Sequence, residues 1–378
     1  MNSTVSFNYN ASSLQYGDQN GYIVYLISDS KSQLTLQKFE ASSYAKDIYI
    51  VERLGSASMM VYASRNLQRL LTVAALGQKQ KVLMEIQDIP APILRICLSS
   101  DRLVVCLENQ IRIYRTGTMV LLHTIQDAQP NPKGIIDMTK TSKSLIAYPH
   151  FKDSGKVVIF DGNQLKAIKS IDAHSGHVAA LKFNPTGELI ATASEKGTVI
   201  RVLSVKTGKM LHEFSRGKLR CAAIYSLAFS EDSLYLASTS NTGTVHLFKL
   251  DPYNEKDEEK NAEEKKKREE EEKTKNAGFF SSYVDYIWKT TETYAPSVTR
   301  PKSLATCTLP VSTDFESTCA LRMFNDKLHL LVATSEGYMF VYQFNEATAS
   351  INLTKQFHLG SEEIPECDKL TSFSTDSE

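Results

Sequence analysis

The stretch Ala180-Leu181-Lys182-Phe183-Asn184-Pro185-Thr186-Gly187 decides the fold, because the chain repeats its pattern. At an offset of 46 residues the chain reads Ser226-Leu227-Ala228-Phe229-Ser230-Glu231-Asp232-Ser233. Alternating apolar residues followed by a polar turn are typical of a short, half-buried strand that ends in a tight turn. A repeat of 40 to 50 residues built from such strands is typical of a β-propeller blade.

The rest of the repeat supports this interpretation. The same offset pairs Ala191–Ser194 with Ala237–Ser240, and Gly197–Val199 with Gly243–Val245. Further copies of the strand pattern lie at Arg95–Val105 and Leu328–Tyr338. The sequence therefore predicts an all-β protein, a seven-bladed, WD-repeat-like β-propeller over residues 1–360. The predicted blades are 5–48, 49–89, 91–130, 134–173, 177–216, 220–250 continued at 300–310, and 314–360.

Composition excludes several classes of protein. The formal net charge is zero, which disfavours general nucleic-acid binding. The six cysteines form no Cys-x-x-Cys pair, so we expect buried thiols, no metal site and no cofactor. No signal-peptide pattern opens the chain, and no apolar run approaches the roughly 20 residues of a membrane-spanning helix. We expect a soluble, cytoplasmic protein that is a monomer.

The blade pattern stops at residues 251–300, which we interpret as a long loop inserted in blade six. Its first half, 251–275, holds 11 acidic and 8 basic side chains and cannot bury enough apolar surface to fold alone. A solvated helix and an extended linker both fit this composition. Its second half is rich in aromatic residues. The last segment, 361–378, is acidic and rich in Ser and Thr, and we predict that it is disordered.

The stretch Ser194–Gly217 carries a specific resemblance. It reads as two strands around the turn Lys206-Thr207-Gly208, and it ends in Phe214-Ser215-Arg216-Gly217. It is similar to the PROPPIN family, the phosphoinositide-binding propellers that include the WIPI-type proteins of autophagy. That family's signature ends in Phe/Leu-Arg-Arg-Gly, so Ser215 stands where the first arginine of the pair is usual.

The resemblance implies two phosphoinositide sites that share this arginine pair, because neighbouring strand residues point to opposite faces. The second site would comprise Arg216, Ser226, Ser238, Ser240, Thr242 and His246. The first site would comprise His174, His177, Ser194, Lys196, Thr198, Arg201 and Ser215. Serine carries no charge and cannot reach a phosphate that arginine reaches, so the first site is expected to be weakened. Residue type alone would make Arg216 a solvated turn residue and the hydroxyls ordinary strand residues.

Two further features have a functional and a structural interpretation. The aromatic block Phe279, Phe280, Tyr283, Ile287 and Trp288 has helical spacing from Phe280 onward, and the family resemblance implies a membrane-inserting loop. A helix packed on its own propeller is the alternative.

Arg102, with Arg115 nearby, matches an arginine with which some WIPI proteins bind the autophagy conjugation machinery. An exposed blade turn is the alternative there.

The resemblance implies a scaffold, not an enzyme, and no phosphate loop, nucleophile elbow or metal-binding helix motif contradicts this. The expected ligand is phosphatidylinositol 3-phosphate, and also the 3,5-bisphosphate. The protein would bind preautophagosomal and endosomal or vacuolar membranes peripherally and recruit autophagy proteins there. The alternative is a propeller with weakened lipid binding that acts mainly through protein partners, such as a lipid-transfer protein.

Overall fold

The structure is a computed structural model, and it describes residues 3–30, 33–42, 45–77, 81–126, 130–150, 155–216, 221–253 and 301–360. Within these ranges the regular secondary structure is strand, in seven antiparallel sheets of four strands each. The predicted seven-bladed propeller is therefore confirmed. The described residues include no helix long and apolar enough to cross a membrane.

The blades follow one another along the chain. Blade one comprises β1 (Thr4–Phe7), β2 (Ser13–Asp18), β3 (Gly21–Ser30) and β4 (Gln33–Ser42). Blade two comprises β5 (Ile48–Arg53), β6 (Met59–Ser64), β7 (Leu67–Ala75) and β8 (Lys81–Ile86). Blade three comprises β9 (Arg95–Leu98), β10 (Arg102–Cys106), β11 (Ile111–Arg115) and β12 (Leu121–Ile125). Blade four comprises β13 (Asp137–Met138), β14 (Leu145–Pro149), β15 (Lys156–Asp161) and β16 (Lys166–Asp172).

The remaining blades hold the candidate site. Blade five comprises β17 (Val178–Phe183), β18 (Leu189–Ser194), β19 (Val199–Ser204) and β20 (Met210–Ser215). Blade six comprises β21 (Ile224–Phe229), β22 (Tyr235–Ser240), β23 (Thr244–Lys249) and β24 (Ala305–Thr308). Blade seven comprises β25 (Ser317–Phe324), β26 (Lys327–Thr334), β27 (Tyr338–Asn345) and β28 (Ser350–His358).

The second strand of a blade is buried on both faces. In β10 the residues Leu103, Val104, Val105 and Cys106 are all inaccessible to solvent. Leu103 and Val105 belong to a core shared with blade two, whereas Val104 and Cys106 belong to a core shared with blade four. A sheet covered on both sides favours continuous apolar runs, which explains why such strands lack polar alternation.

An asparagine side chain closes the first turn of blades one and five. The Asn184 side-chain oxygen accepts a hydrogen bond from the backbone N–H of Leu189 at 2.9 Å. Its amide nitrogen donates to Ser233 Oγ of blade six at 2.9 Å. Asn8 makes the equivalent bonds, accepting from the N–H of Ser13 and donating to the carbonyl of Gly55 in blade two. The same residue thus shapes its own turn and links two blades.

The ring closes without exchanging a strand, because blades one and seven each consist of four consecutive strands. Closure depends on a shared apolar core, in which Leu14 and Tyr25 of blade one pack with Leu331 and Phe357 of blade seven. The Arg322 guanidinium donates to the backbone carbonyls of Ala11 at 3.2 Å and Ile27 at 2.8 Å. The Tyr25 hydroxyl also accepts from the N–H of Gly360 at 2.8 Å.

The chain divides into two compact units, residues Met1–Leu250 with Lys302–Glu378, and Asp251–Pro301. Strand β24 pairs with β23, so the second unit separates the third and fourth strands of blade six. Residues 254–300 and 361–378 lie outside the described residues. The interpretations of the charged stretch, the aromatic block and the acidic tail therefore remain predictions.

The closure contacts lead to a first prediction. Arg322→Ala should lower the free energy of unfolding by about 2 kcal/mol, because it removes two charge-assisted hydrogen bonds between blades seven and one. Urea unfolding followed by circular dichroism measures the change. Arg115→Ala, at an exposed strand end, is the control and should stay within about 0.5 kcal/mol of the unaltered protein. Equal stability of the Arg322 variant and this control would contradict the closure role.

Candidate binding clusters on either side of blade five

Strand β20 sends its last residues to opposite faces of blade five. The Phe214 ring stacks on Phe248 of blade six, with the ring centroids 4.8 Å apart. Glu213 faces the other way and pairs with Arg201, which also contacts the segment between blades four and five. By strand alternation Ser215 shares the face of Glu213, whereas Arg216 contacts blade six. Two polar clusters result, one on each side of the blade.

One of them, the blade 5/6 cluster, corresponds to the predicted second site. It comprises Arg216, Ser238, Ser240, Thr242 and His246. Arg216 Nη2 donates to Ser240 Oγ at 2.8 Å and to Thr242 Oγ1. Its main-chain N–H donates to the carbonyl of Thr198 at 2.9 Å, which fixes the backbone at the end of β20. Burial lowers the pKa of the Arg216 guanidinium, but arginine still stays charged at any cellular pH.

Arg216 has a hydrogen-bond donor without an acceptor. Among the residues that the structure describes, no carboxylate forms an ion pair with Arg216, and its buried Nε has no hydrogen-bond partner. The hydroxyl of Ser238, on the same face of blade six as Ser240, is also buried without a hydrogen-bond partner. Unsatisfied buried donors cost free energy, so a native protein retains them where a ligand or water completes the set. An uncompensated cation with free donors suits an anion.

His246 contributes a neutral ring to this cluster. It lies on β23 directly opposite Ser238, and its ring stacks on Phe248 with the centroids 6.0 Å apart. Burial and the nearby Arg216 charge lower the pKa of His246 to about 4. At neutral pH the imidazole therefore offers one N–H donor and one acceptor, and it adds no charge of its own.

Ser226 is not part of this cluster. Its Oγ accepts from the N–H of Cys319 at 3.3 Å and lies 3.5 Å from Thr318 Oγ1, so it faces blade seven. A bulge in β21 is the reason. Ile224 pairs with Ser240, but Ser226 pairs with Thr239 instead of Ser238, and this slip of one residue turns Ser226 to the other face.

The blade 4/5 cluster comprises His174, Thr192, Arg201, Glu213 and Ser215. Arg201 is already satisfied, since Nε and Nη2 lie 2.7 and 2.6 Å from Glu213 Oε2 and Nη1 donates to the carbonyl of Ala173 at 2.7 Å. His174 Nε2 lies 3.0 Å from Thr192 Oγ1. Burial, and then the Arg201 charge, lower the pKa of His174 to about 4. The buried part of this cluster is therefore close to neutral.

The other residues predicted for the first site surround the turn after β18. The Ser194 carbonyl accepts from the N–H of Gly197, the His177 carbonyl from Glu195, and the exposed Lys196 accepts through its carbonyl from Ala222. Gly197 has a φ of 58°, and a Cβ there would lie 1.8 Å from the carbonyl oxygen of Ala222. Only glycine fits, so this turn is held against the chain that leads into blade six.

Arg102 and Arg115 lie away from both clusters, directly opposite each other on β10 and β11. Arg102 Nε donates to the carbonyl of Gly162 in blade four at 2.7 Å, and Nη1 donates to the carbonyl of Asp101 at 2.9 Å. Arg102 thus links blades three and four, whereas Arg115 is exposed. The proposed membrane-inserting residues, Phe279, Phe280, Tyr283, Ile287 and Trp288, lie outside the described residues.

Sequence reasoning missed three residues at the clusters. Glu213 neutralises Arg201 from twelve positions along the chain, and nothing in the strand pattern marks it as a partner. Lys302 forms a β-bridge with Ser215, and Ser303 Oγ lies 3.3 Å from His246 Nδ1. The available signal was the basic and hydroxyl run Arg300-Pro301-Lys302-Ser303 immediately before β24.

Known proteins resemble this chain over nearly its whole length. The family model described as PROPPIN matches residues 1–358. "Autophagy-related protein 18" of Caenorhabditis elegans is 36% identical over 369 residues, which cover 94% of this chain and 85% of the relative. Human "WD repeat domain phosphoinositide-interacting protein 1" is 36% identical over 350 residues, 91% of this chain and 73% of the relative.

A solved structure shows the same fold. It is described as "Complex of KlAtg21 with coiled-coil of AgAtg16", and it superposes with a TM-score of 0.68 at 19% identity, covering 95% of this chain and 100% of the other. At that identity the likeness concerns the fold alone. The family model and the curated relatives, by contrast, match both the repeat and the region of the two clusters. This chain therefore belongs to the PROPPIN family.

Proposed function

We propose that this protein binds phosphoinositide headgroups on membranes through the blade 5/6 cluster and recruits autophagy proteins there. The observation that carries the proposal is Arg216, a cation without a described carboxylate partner, whose Nε, like the Ser238 hydroxyl of the same cluster, has no hydrogen-bond partner. Arginine can donate two parallel hydrogen bonds to a phosphate. The names of the curated relatives, which refer to autophagy and to phosphoinositides, support the same ligand class.

The blade 4/5 cluster would be the weaker of the two sites. Glu213 compensates Arg201, and Ser215 supplies no charge, which leaves Lys196 as the exposed cation of the predicted set. A phosphate there would have to compete with a carboxylate that lies 2.6 Å from the guanidinium. The proposed ligands are phosphatidylinositol 3-phosphate and the 3,5-bisphosphate.

Membrane attachment would need a second contact, since one headgroup site binds weakly on its own. The aromatic block at 279–288 supplies it in this proposal, with the charged stretch before it as a tether. The protein would then be a peripheral, monomeric protein on preautophagosomal and endosomal or vacuolar membranes. It acts as a scaffold and not as an enzyme.

A second candidate function is a scaffold that acts mainly through protein contacts. Blade two favours it, because Leu67, Val82, Leu83 and Met84 are all exposed on β7 and β8. A pocket of about 790 Å³ opens on the same strands and is lined by Arg65, Leu67, Arg69, Glu85 and Pro92, among others. The coiled-coil complex of KlAtg21 is a precedent for a partner of this kind, and Arg115 would be a further contact.

Arg216→Ala tests the main proposal. Binding to phosphatidylcholine vesicles that contain phosphatidylinositol 3-phosphate should fall by at least about tenfold, since each charge-assisted hydrogen bond contributes roughly 1.5–3 kcal/mol. Vesicle flotation measures the binding, and circular dichroism checks the fold. Arg115→Ala is the matched control and should float as the unaltered protein does. A folded Arg216 variant that floats normally would overturn the headgroup assignment.

Ser215→Arg tests the weaker cluster. An added cation beside Arg201 should raise vesicle affinity several-fold and make binding more sensitive to salt, because screening acts on exposed charges. Met210→Arg adds the same charge at the exposed, opposite end of β20 and serves as the control. If the two variants bind alike, the blade 4/5 cluster is not a phosphate site.

The aromatic block has its own test. Replacing Phe280, Ile287 and Trp288 together by Ser should abolish vesicle binding, because burying each large apolar side chain contributes up to roughly 1.5–3 kcal/mol. Affinity for soluble inositol 1,3-bisphosphate, measured by calorimetry, should not change. Trp288 is the only tryptophan, so its fluorescence should shift to the blue when vesicles are added to the unaltered protein. Full vesicle binding by the triple variant would show that the block does not enter the bilayer.

A further inference from the structure

The chain re-enters the propeller beside the blade 5/6 cluster. Lys302 forms a parallel β-bridge with Ser215, the last residue of β20. Ser303 follows with its hydroxyl 3.3 Å from His246 Nδ1, and the N–H of Leu304 donates to the carbonyl of Leu247 at 2.7 Å. Three consecutive residues therefore fasten this return segment, Lys302–Leu304, to the end of β20 and to β23.

Ser303 limits which ring nitrogen of His246 is available to a ligand. The stacked Phe248 holds the plane of the imidazole, and the Ser303 hydroxyl occupies its Nδ1. The Nε2 atom is the remaining ring nitrogen for a ligand, and the hydrogen bond at Nδ1 decides whether Nε2 donates or accepts. Ser303 is thus a positioning residue that acts through His246.

Lys302 brings a cation to the other face of β20, because partners in a β-bridge point to the same face and Ser215 shares the face of Glu213. Its side chain is exposed, and none of the described carboxylates pairs with it. Its backbone lies beside Ser215, so a positive charge is present next to a position that itself has none. A lysine carries a compact charge on a flexible stem of four carbons, which lets it reach an anion at the blade 4/5 cluster.

We propose that the return segment serves both clusters: Ser303 orients His246 toward the ligand of the blade 5/6 cluster, and Lys302 supplies the blade 4/5 cluster with the phosphate-binding cation that Ser215 does not provide. This rests on the proposed function, and it adds to each cluster one residue from beyond the 251–300 insertion. A phosphorylated inositol is the ligand, whether on a lipid or free in solution.

The test compares variants with soluble and membrane-bound headgroup. The probes are inositol 1,3-bisphosphate, by calorimetry, and phosphatidylcholine vesicles with phosphatidylinositol 3-phosphate, by flotation. Lys302→Ala should weaken both by roughly 3- to 10-fold and reduce the salt dependence of binding. Lys209→Ala, an exposed lysine at the other end of β20, should change neither. Ser303→Ala should weaken the binding of both probes. Ser303→Thr keeps the hydroxyl and should bind both probes as the unaltered protein does.

The outcomes separate this inference from the function on which it rests. Normal binding of both probes by Lys302→Ala and Ser303→Ala, with loss in Arg216→Ala, overturns the inference and leaves the proposed function standing. A Lys302 effect on vesicles alone also overturns it, because the lysine would then contact the bilayer surface and not the headgroup. An unaltered protein that binds neither probe overturns both. Equal losses in Ser303→Ala and Ser303→Thr would show that Ser303 has a packing role only.

Discussion

Each blade of this propeller buries its two faces only against its neighbours, and the rest of the structure depends on that constraint. The buried run Leu103–Cys106 shows it most directly, since alternate residues belong to cores on opposite sides. An isolated four-stranded blade would expose both apolar faces to water. The ring must therefore close, and it does so through apolar packing and the Arg322 hydrogen bonds between blades seven and one.

The same constraint places the candidate clusters. Apolar packing fills the spaces between blades, as the Phe214–Phe248 stack does between blades five and six. Polar side chains remain where a strand ends and the apolar run stops. Arg216 follows β20 directly, so its guanidinium reaches hydroxyls on blade six while its backbone is fixed by Thr198. A rigid apolar support and a polar margin suit a site whose geometry must not change on binding.

Charge compensation makes the two sides of blade five unlike. Both clusters contain a half-buried arginine and a histidine whose pKa is lowered to about 4. Arg201, however, has Glu213 within 2.6 Å, whereas Arg216 has hydroxyl partners and a free Nε. The half-buried Arg201–Glu213 ion pair is satisfied internally, and an arginine paired only with hydroxyls retains its full charge for an external anion. The Glu213 carboxylate therefore makes the two clusters electrostatically different, although their residue types are similar.

The repeat in the sequence determined the all-β propeller fold and its seven blades, because strand alternation and turn residues are local signals. It also predicted that Ser215 and Arg216 point to different faces. Only the tertiary structure decided which side chains accompany them. A one-residue bulge turns Ser226 toward blade seven, Glu213 lies directly opposite Arg201 on the neighbouring strand, and Lys302 and Ser303 arrive from beyond a segment of about fifty residues. Register, bulges and chain return are set by pairing between distant residues, and a linear pattern does not encode them.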